Sequence, residues 1–222
     1  MSKILVTGSD TGLGMFLMHQ LEDAGHELVP FDIKRGLDVR NPDLGAIPSD
    51  LDVLINCAGV NRINWLADVK DDEWDEVMDV NAKGIFKMSQ ACAPILRERE
   101  GTILNIVSGA ARTPMRASAA YNASKGAALT LTRQLARELA PAITVFSISP
   151  NKLAATGMSA SIDEQVCRVR GWSQVQARQY QLAGLLTGEE TCPETLAEFI
   201  CFLLESKQRH KFLAGCDLPY GL

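Results

Sequence analysis

Metal-binding chemistry has little to work with in this sequence. There are only three histidines, His19, His26 and His210, and none stands at ligand spacing from a cysteine or carboxylate cluster. The six cysteines (Cys57, Cys92, Cys167, Cys192, Cys201 and Cys216) are scattered, with no C-x-x-C pair. That spacing weighs against zinc, and no metal is expected. Also missing is an apolar run approaching the roughly 20 residues of a membrane span. Basic charge is in deficit, with 22 Lys and Arg against 27 Asp and Glu and a net charge of −5. No basic surface offers itself to nucleic acid or anionic lipid. Internal repeats and low-complexity linkers are absent, and 222 residues with 46% hydrophobic content fit one well-cored domain. The opening M-S-K-I-L-V-T-G enters a strand at once, in place of a secretory leader. The expectation is a cytoplasmic protein with reduced thiols.

What is present is alternation. Lys3–Thr7, Glu27–Phe31, Leu51–Asn56, Thr102–Val107 and Ala142–Ile148 read as strands, with Phe212–Leu218 as a weaker sixth. Several are almost wholly apolar, as strands buried on both faces of a parallel sheet must be. Gly12–Ala24, Glu73–Arg97 and Ser118–Leu139 carry helical spacing, and Trp74 is expected in the core. In the last helix Ala120, Ala123, Ala127, Leu131 and Leu135 mark one apolar face, for the sheet or for a second subunit. Thr191-Cys192-Pro193-Glu194 reads as a capping box opening a helix to about Glu205. The fold class is α/β: a doubly wound, mostly parallel sheet with helices on both faces, in a single domain.

Thr7-Gly8-Ser9-Asp10-Thr11-Gly12-Leu13-Gly14 follows a strand and opens a helix. In that setting the glycines suit a Rossmann-like dinucleotide turn. Gly8 makes the bend, Gly12 lets backbone approach a pyrophosphate, and Gly14 permits close helix packing. The helix N-terminus adds N–H groups and positive dipole for the phosphates. Asp32 ends the second strand, 18 residues beyond Gly14. A carboxylate there can accept from both ribose hydroxyls and repel a 2′-phosphate, so NAD(H) is favoured over NADP(H). Thr11 and Ile33 are uncharged, in keeping with that preference, while Lys34 and Arg35 could swing toward a phosphate. A solvated strand-end carboxylate is the alternative for Asp32.

Ser108 stands just past a strand, at the carboxyl edge where open α/β sheets bind ligands. Tyr121 and Lys125 are four apart at a helix start and share a face. Alone, a Tyr-x-x-x-Lys pair says little. Together with T-G-x-x-x-G-x-G, Asn56-Cys57-Ala58-Gly59 and Asn81, in this order and spacing, it resembles the short-chain dehydrogenase/reductase family over nearly the whole chain.

That resemblance implies an oxidoreductase acting on a small carbonyl or alcohol substrate, with Tyr121 as general acid/base. Ser108 would place the substrate oxygen, Lys125 the nicotinamide ribose, and Asn81 a water-linked proton path. A tyrosine of ordinary pKa, about 10, is a poor base at neutral pH, and a nearby ammonium and the cationic nicotinamide would lower it. Asp38-Val39 resembles the pair beside the adenine, an exposed turn being the alternative. Ser9, Asp10 and Leu13 complete the glycine turn, and Pro150, Asn151, Leu153 and Thr156 match positions around the nicotinamide and a phosphate. A homodimer or homotetramer is implied, built on helices around Glu73–Arg97 and Ser118–Leu139.

The chain also departs from that pattern. Between Asp38 and Asp52 only 13 residues intervene, interrupted by Pro42, Gly45 and Pro48. A helix of about 11 residues does not fit, so a covering helix is missing near the adenosine end. Cys57 replaces an asparagine and reads as packing. Asn151 stands where the family has glycine, and asparagine is among the residues that tolerate left-handed angles. Lys152, Arg112 and Arg116 either face an anionic substrate or are solvated surface charges. Residues 157–188 form the expected substrate lid, and the ending Gly215–Leu222 is shortened. Two other functions fit less of the sequence: a non-catalytic dinucleotide-binding regulator of the same fold, and a nucleotide-sugar epimerase, for which the turn and a C-terminal substrate domain are lacking.

Overall fold

Short aliphatic runs separated by amphipathic stretches have one economical solution, a parallel sheet sandwiched between helices. The computed structural model describes residues 1–221, apart from the side chain of residue 209; Leu222, the last residue of the shortened ending, lies outside them. Its strands are β1 (Lys3–Thr7), β2 (Glu27–Phe31), β3 (Val53–Asn56), β4 (Thr102–Ile106), β5 (Thr144–Pro150) and β6 (Asp217–Tyr220). All pair in parallel in the order β2-β1-β3-β4-β5-β6. The order reverses between β1 and β3, which creates the crevice where such sheets take ligands. Among the described residues no helix is long and apolar enough to cross a membrane.

Alternation divides the core. Ile4, Val6, Ile55, Leu104 and Phe146 face α1 (Gly12–Asp23) and α7 (Pro193–Leu204). Leu5, Leu54, Ile103 and Val145 face α3 (Gly84–Glu98) and α4 (Ala119–Leu139). Residues 32–52 cross from β2 to β3 with two short 3-10 turns and no α-helix, burying Val39, Ile47 and Leu51 against Leu5 and Phe31. Three aliphatic anchors do the covering there.

β2 is an open edge. Glu27 N–H bonds Ser2 O and Phe31 O accepts from Gly8 N–H, so Leu28 and Pro30 turn their peptide groups outward. Pro30 has no N–H to offer, which halves the donors along that edge.

A row of buried polar side chains crosses the sheet at its carboxyl end. Thr7, Asn56, Asn105, Ser147 and Asp217 are register partners strand by strand. Thr7 Oγ1 accepts from the Cys57 and Ala58 N–H groups, and Asn56 Nδ2 donates to Asn105 Oδ1 at 2.9 Å. Asn105 Nδ2 continues to Thr132 Oγ1 of α4 at 2.9 Å.

Several elements differ from the sequence expectation. The stretch expected as one helix over Glu73–Arg97 is α2 (Asp71–Met78), a wide π turn (Asp79–Lys83) and α3. Trp74 is 38% exposed, because α2 buries Val77 instead. The sheet-facing stripe of α4 is Ala120, Ser124, Ala128, Thr132 and Ala136, while Ala123 is exposed and Leu131 and Leu135 only half-buried. Buried polar partners for Ser124 and Thr132 rotate the helix away from the face that hydropathy alone selects. α7 does begin at Pro193, but Cys192 is its N-cap and Thr191 bonds elsewhere, so no capping box forms. Phe212, 81% exposed, follows a short helix α8 (Lys207–Lys211), and β6 starts only at Asp217.

α8 docks through His210, which is buried and stacked on Phe146. One ring nitrogen lies 2.9 Å from Thr102 Oγ1 and the other 3.1 Å from Leu203 O. Burial holds its pKa below the usual 6.5. The unfolded chain therefore takes the proton first as pH falls, and this part of the stability is present above about 6.5 and lost below it. His26 shifts in the same direction, also by burial. In urea melts between pH 7.5 and 5, His210→Leu should be less stable by about 1–3 kcal/mol at the upper end and lose less on acidification. An unchanged acid slope would show that His210 does not set it.

Candidate functional site

β1 ends at Thr7 and the chain turns sharply. Gly8 has φ +69°, and a Cβ there would stand 2.8 Å from Ala58 Cα. A Cβ on Gly14 would lie 1.9 Å from Gly8 O, so α1 can sit this close only with glycine at that position. Thr11 caps α1 without a side-chain hydrogen bond, leaving the first N–H groups open to an anion. Gly12 approaches Thr156, the N-cap of α5 (Gly157–Arg170).

Asp32 lies at the end of β2, 5% exposed. Its Oδ2 accepts from Asp10 N–H at 3.0 Å and its Oδ1 from Lys34 N–H at 2.9 Å. Each oxygen keeps a lone pair for a further donor. Arg35 turns back to pair with Asp10, 2.8 Å from Nε to Oδ1, and Ile33 is exposed. Asp38 is engaged by Arg40, whose guanidinium holds the carboxyl below its usual pKa. Val39 is buried against Gly84.

The segment after β3 joins the two ends of the crevice. Ala58 packs on Gly8, and a Cβ on Gly59 would come 3.4 Å from Asn81 Oδ1 and 3.8 Å from Lys125 Nζ. Asn81 is fully buried in the π turn. It accepts from Val60 N–H at 2.8 Å and donates to Val60 O at 2.9 Å and Ser124 Oγ at 3.0 Å. The wider turn is what allows one side chain to reach both; such turns recur at functional sites.

Ser108, Tyr121 and Lys125 come together beside it. Ser108 opens a 3-10 turn (Gly109–Ala111) after β4, its Oγ accepting Ala110 N–H at 3.2 Å, and its side chain stands beside the Tyr121 hydroxyl. Lys125 Nζ donates to Ile106 O at 3.0 Å and lies 5.8 Å from the Tyr121 ring centroid. Burial raises the Tyr121 pKa, and the neighbouring Ser108 side chain offsets only part of that. Burial also lowers Lys125 to about 8 and raises the Cys57 thiol to about 12, each partly opposed by the other. The phenol lowered by an ammonium that the sequence suggests is thus not the state of the protein alone. Desolvation wins.

Beyond β5 the sequence expectations change most. Asn151 is not left-handed: among the described residues the non-glycine positive φ angles are at Glu100, Ala117 and Ala155. Its amide instead clasps the end of the chain, donating to Gly221 O at 2.6 Å and accepting from Thr191 N–H and Oγ1 at 3.1 and 2.5 Å. Lys152 is neither solvated nor free, because it pairs with Asp163 at 2.5 Å and Glu190 at 3.0 Å. Arg112 and Arg116 are both exposed, and Arg112 pairs with the buried carboxylate of Asp217. Pro150 ends β5, and Leu153 bridges to Thr191.

Sequence reasoning missed how the segment after Gly59 meets α5. Ile63 N–H donates to Gln165 Oε1, Arg168 reaches Ile63 O, and Trp65 Nε1 donates to Val169 O. Asn61, buried nearby in that loop, has no hydrogen-bond partner on its amide among the described residues. Contacts 102 to 105 residues apart leave no local signal to read.

Comparison with known proteins gives a consistent picture. A family profile described as short chain dehydrogenase matches residues 45–166. A 3-oxoacyl-(acyl-carrier-protein) reductase of Staphylococcus aureus is 34% identical over 72% of this chain and 78% of its own. A solved NAD+-bound xylitol dehydrogenase superposes with a TM-score of 0.90 at 23% identity, covering 98% and 96% of the two chains. An actinorhodin polyketide ketoreductase solved with NADPH gives 0.84 at 25% identity, over 99% and 96%.

Replacing Asn151 by glycine removes the clasp and adds backbone freedom to the unfolded chain. The variant should lose about 1–3 kcal/mol in thermal or urea melts, with faster amide exchange at Thr191. Unchanged stability and exchange would remove the clasp from the account.

Proposed function

The chain belongs to the short-chain dehydrogenase family, and from that we propose that it moves a hydride between a nicotinamide dinucleotide and a carbonyl or alcohol substrate, with Tyr121 as general acid/base. The observation that carries the reading is the meeting of Ser108, Tyr121 and Lys125 at the carboxyl edge of β4, across the switch point from the glycine turn. The residues present fit a dinucleotide. Gly8 and Gly14 let the turn close against Ala58 and α1 where any Cβ would strike backbone, Thr11 puts no side-chain hydrogen bond on the α1 N-terminus, and Asp32 keeps acceptor capacity.

When bound, the dinucleotide supplies or accepts the hydride. The chain does the rest. Ser108 Oγ and the Tyr121 hydroxyl bind one substrate oxygen, and Tyr121 gives its proton to that oxygen in reduction or takes it in oxidation. Lys125 would leave Ile106 O for the ribose hydroxyls, and Asn81 holds Val60 and Ser124 so that a water path can reach it. Val39 and Asp38 border the adenine side, Ala58 and Gly59 the middle of the crevice, and Leu153 and Thr156 its far end. Asp32 favours NAD(H). Residues 157–188 act as the lid, tied to the segment after Gly59 by α5. The outer groove between α3 and α4, with Phe86, Pro94 and Leu135, is where two copies would associate. A reducing compartment such as the cytoplasm suits its six free thiols.

Absorbance of NADH and NADPH should be followed across simple ketones, keto acids, ethyl 3-oxobutanoate and sugar alcohols, the last two chosen from what the relatives' names say they act on. Tyr121→Phe is expected to lose nearly all turnover, by about 10²–10⁴-fold, while still binding dinucleotide. Full activity in that variant would sink the mechanism. The Michaelis constant should be lower for NADH than for NADPH; the reverse order would overturn the NAD assignment.

A pH effect follows from Lys125. Only its protonated form donates to the ribose with three N–H groups, and burial sets its pKa at about 8. The kcat/KM for dinucleotide, which reports the free protein, should fall as pH rises through about 8. A profile flat to pH 9.5 would contradict this role.

A further inference from the structure

Arg112, one of the cations expected either at an anionic substrate or in solvent, is exposed along part of its side chain yet spends its charge on a buried carboxylate. We propose that Arg112 and Asp217 form a positioning pair that fixes the turn carrying Ser108, and this rests on the catalytic reading of Ser108 and Tyr121 given above.

Ser108 opens the 3-10 turn and Arg112 closes it. Ala111 N–H bonds Ser108 O at 3.0 Å, Arg112 N–H bonds Gly109 O at 2.9 Å, and Ala110 N–H bonds Ser108 Oγ at 3.2 Å. The turn leaves β4 at Val107, whose N–H bonds Ile148 O of β5, and its Ala110 is buried with Val77, Ala120 and Tyr121. Its far end is tied by the Arg112 side chain, which reaches the carboxylate of Asp217 on β6, two strands away from β4. Asp217 is 1% exposed in its side chain. Its Oδ1 accepts from Ser147 Oγ at 2.5 Å and Ser149 Oγ at 2.8 Å. Among the described residues Oδ2 accepts no hydrogen bond, and the Arg112 guanidinium meets it as an ion pair.

Two rigid strands thus hold the carboxylate, and the carboxylate holds the far end of the Ser108 turn. An ion pair with one buried and one part-exposed partner is a poor source of net stability, because desolvation of the carboxylate and solvent around the guanidinium offset most of the attraction. Its attested use is to select one arrangement over its neighbours. Here the arrangement selected is the one that brings the Ser108 hydroxyl to Tyr121, where it partly counters the effect of burial on the phenol. Arg112 and Asp217 touch no reacting atom in this scheme; both act through Ser108.

The test compares wild type with Arg112→Lys, Arg112→Gln, Ser108→Ala, Arg112→Gln/Asp217→Asn and Ser108→Ala/Arg112→Gln. Turnover is measured with NADH and the panel compound reduced fastest, starting from ethyl 3-oxobutanoate. Dinucleotide Kd is read by NADH fluorescence, stability by thermal melts, and turn mobility by amide exchange at Ala110 and Ala111. Arg112→Gln should lower kcat about tenfold or more, with the dinucleotide Kd within about twofold and exchange clearly faster. Arg112→Lys should restore most of the turnover. The Arg112→Gln/Asp217→Asn variant removes the lone buried charge and should regain stability without regaining kcat. Ser108→Ala should cost less in the Arg112→Gln background than in wild type, since one acts through the other.

Unchanged exchange and kcat in Arg112→Gln would overturn the proposal. So would kcat recovering together with stability in Arg112→Gln/Asp217→Asn, or effects that simply multiply. If Ser108→Ala alone keeps full turnover, the catalytic reading fails and the pair fails with it. If Ser108→Ala is crippled but the Arg112 effects multiply, the pair alone fails.

Discussion

The buried polar row from Thr7 to Asp217 is the constraint on which the rest of this structure depends. A polar group taken out of water costs free energy unless a partner receives it. Five such groups on adjacent strands therefore admit very few registers. Slipping any strand by one residue would turn its polar member to the opposite face of the sheet and strand it among aliphatic side chains. Thr7 draws in the Cys57 and Ala58 amides, Asn56 and Asn105 lock β3 to β4 and reach α4, and Ser147 with Asp217 secures β5 to β6. The glycine turn, the helix bearing Tyr121 and Lys125, and the Ser108 turn all rise from this row. Apolar contacts on either side supply bulk stability; the row supplies alignment.

Above it, burial pushes three neighbouring groups toward their neutral forms. Tyr121 holds its proton more tightly, Cys57 stays a thiol, and Lys125 gives up charge more readily than an exposed lysine. Low dielectric makes any charge that does enter felt strongly by all three. A site of this kind is quiet until an ionic ligand arrives.

Much of this was legible in the sequence because it was local. The strand–helix alternation, the glycines at 8 and 14, and the four-residue step from Tyr121 to Lys125 each lie within one or two elements. Features that needed distant partners were not legible. Ser147 and Asp217 are 70 residues apart, and Asn151 meets Thr191 across 40. The face of α4 was read one step off because Thr132 and Lys125 are buried polar residues whose partners, Asn105 and Ile106 O, lie on a strand. Asn81 could be picked out by resemblance, yet the wide turn that lets it reach Val60 and Ser124 interrupts a stretch whose periodicity reads as one helix. Arg112 and Lys152 looked alike in sequence as spare cations, and both are spent on carboxylates.

The same economy governs the short crossover beside β2. A sheet that ends on an uncovered strand invites other chains to extend it, and concentrated solutions of such proteins tend toward fibres. Pro30 interrupts the template at the position where an incoming strand would look for a donor. A trimmed flank of this kind keeps fewer donors for an incoming strand, because proline at that one position leaves Leu28 as the outward N–H between the two ends of β2.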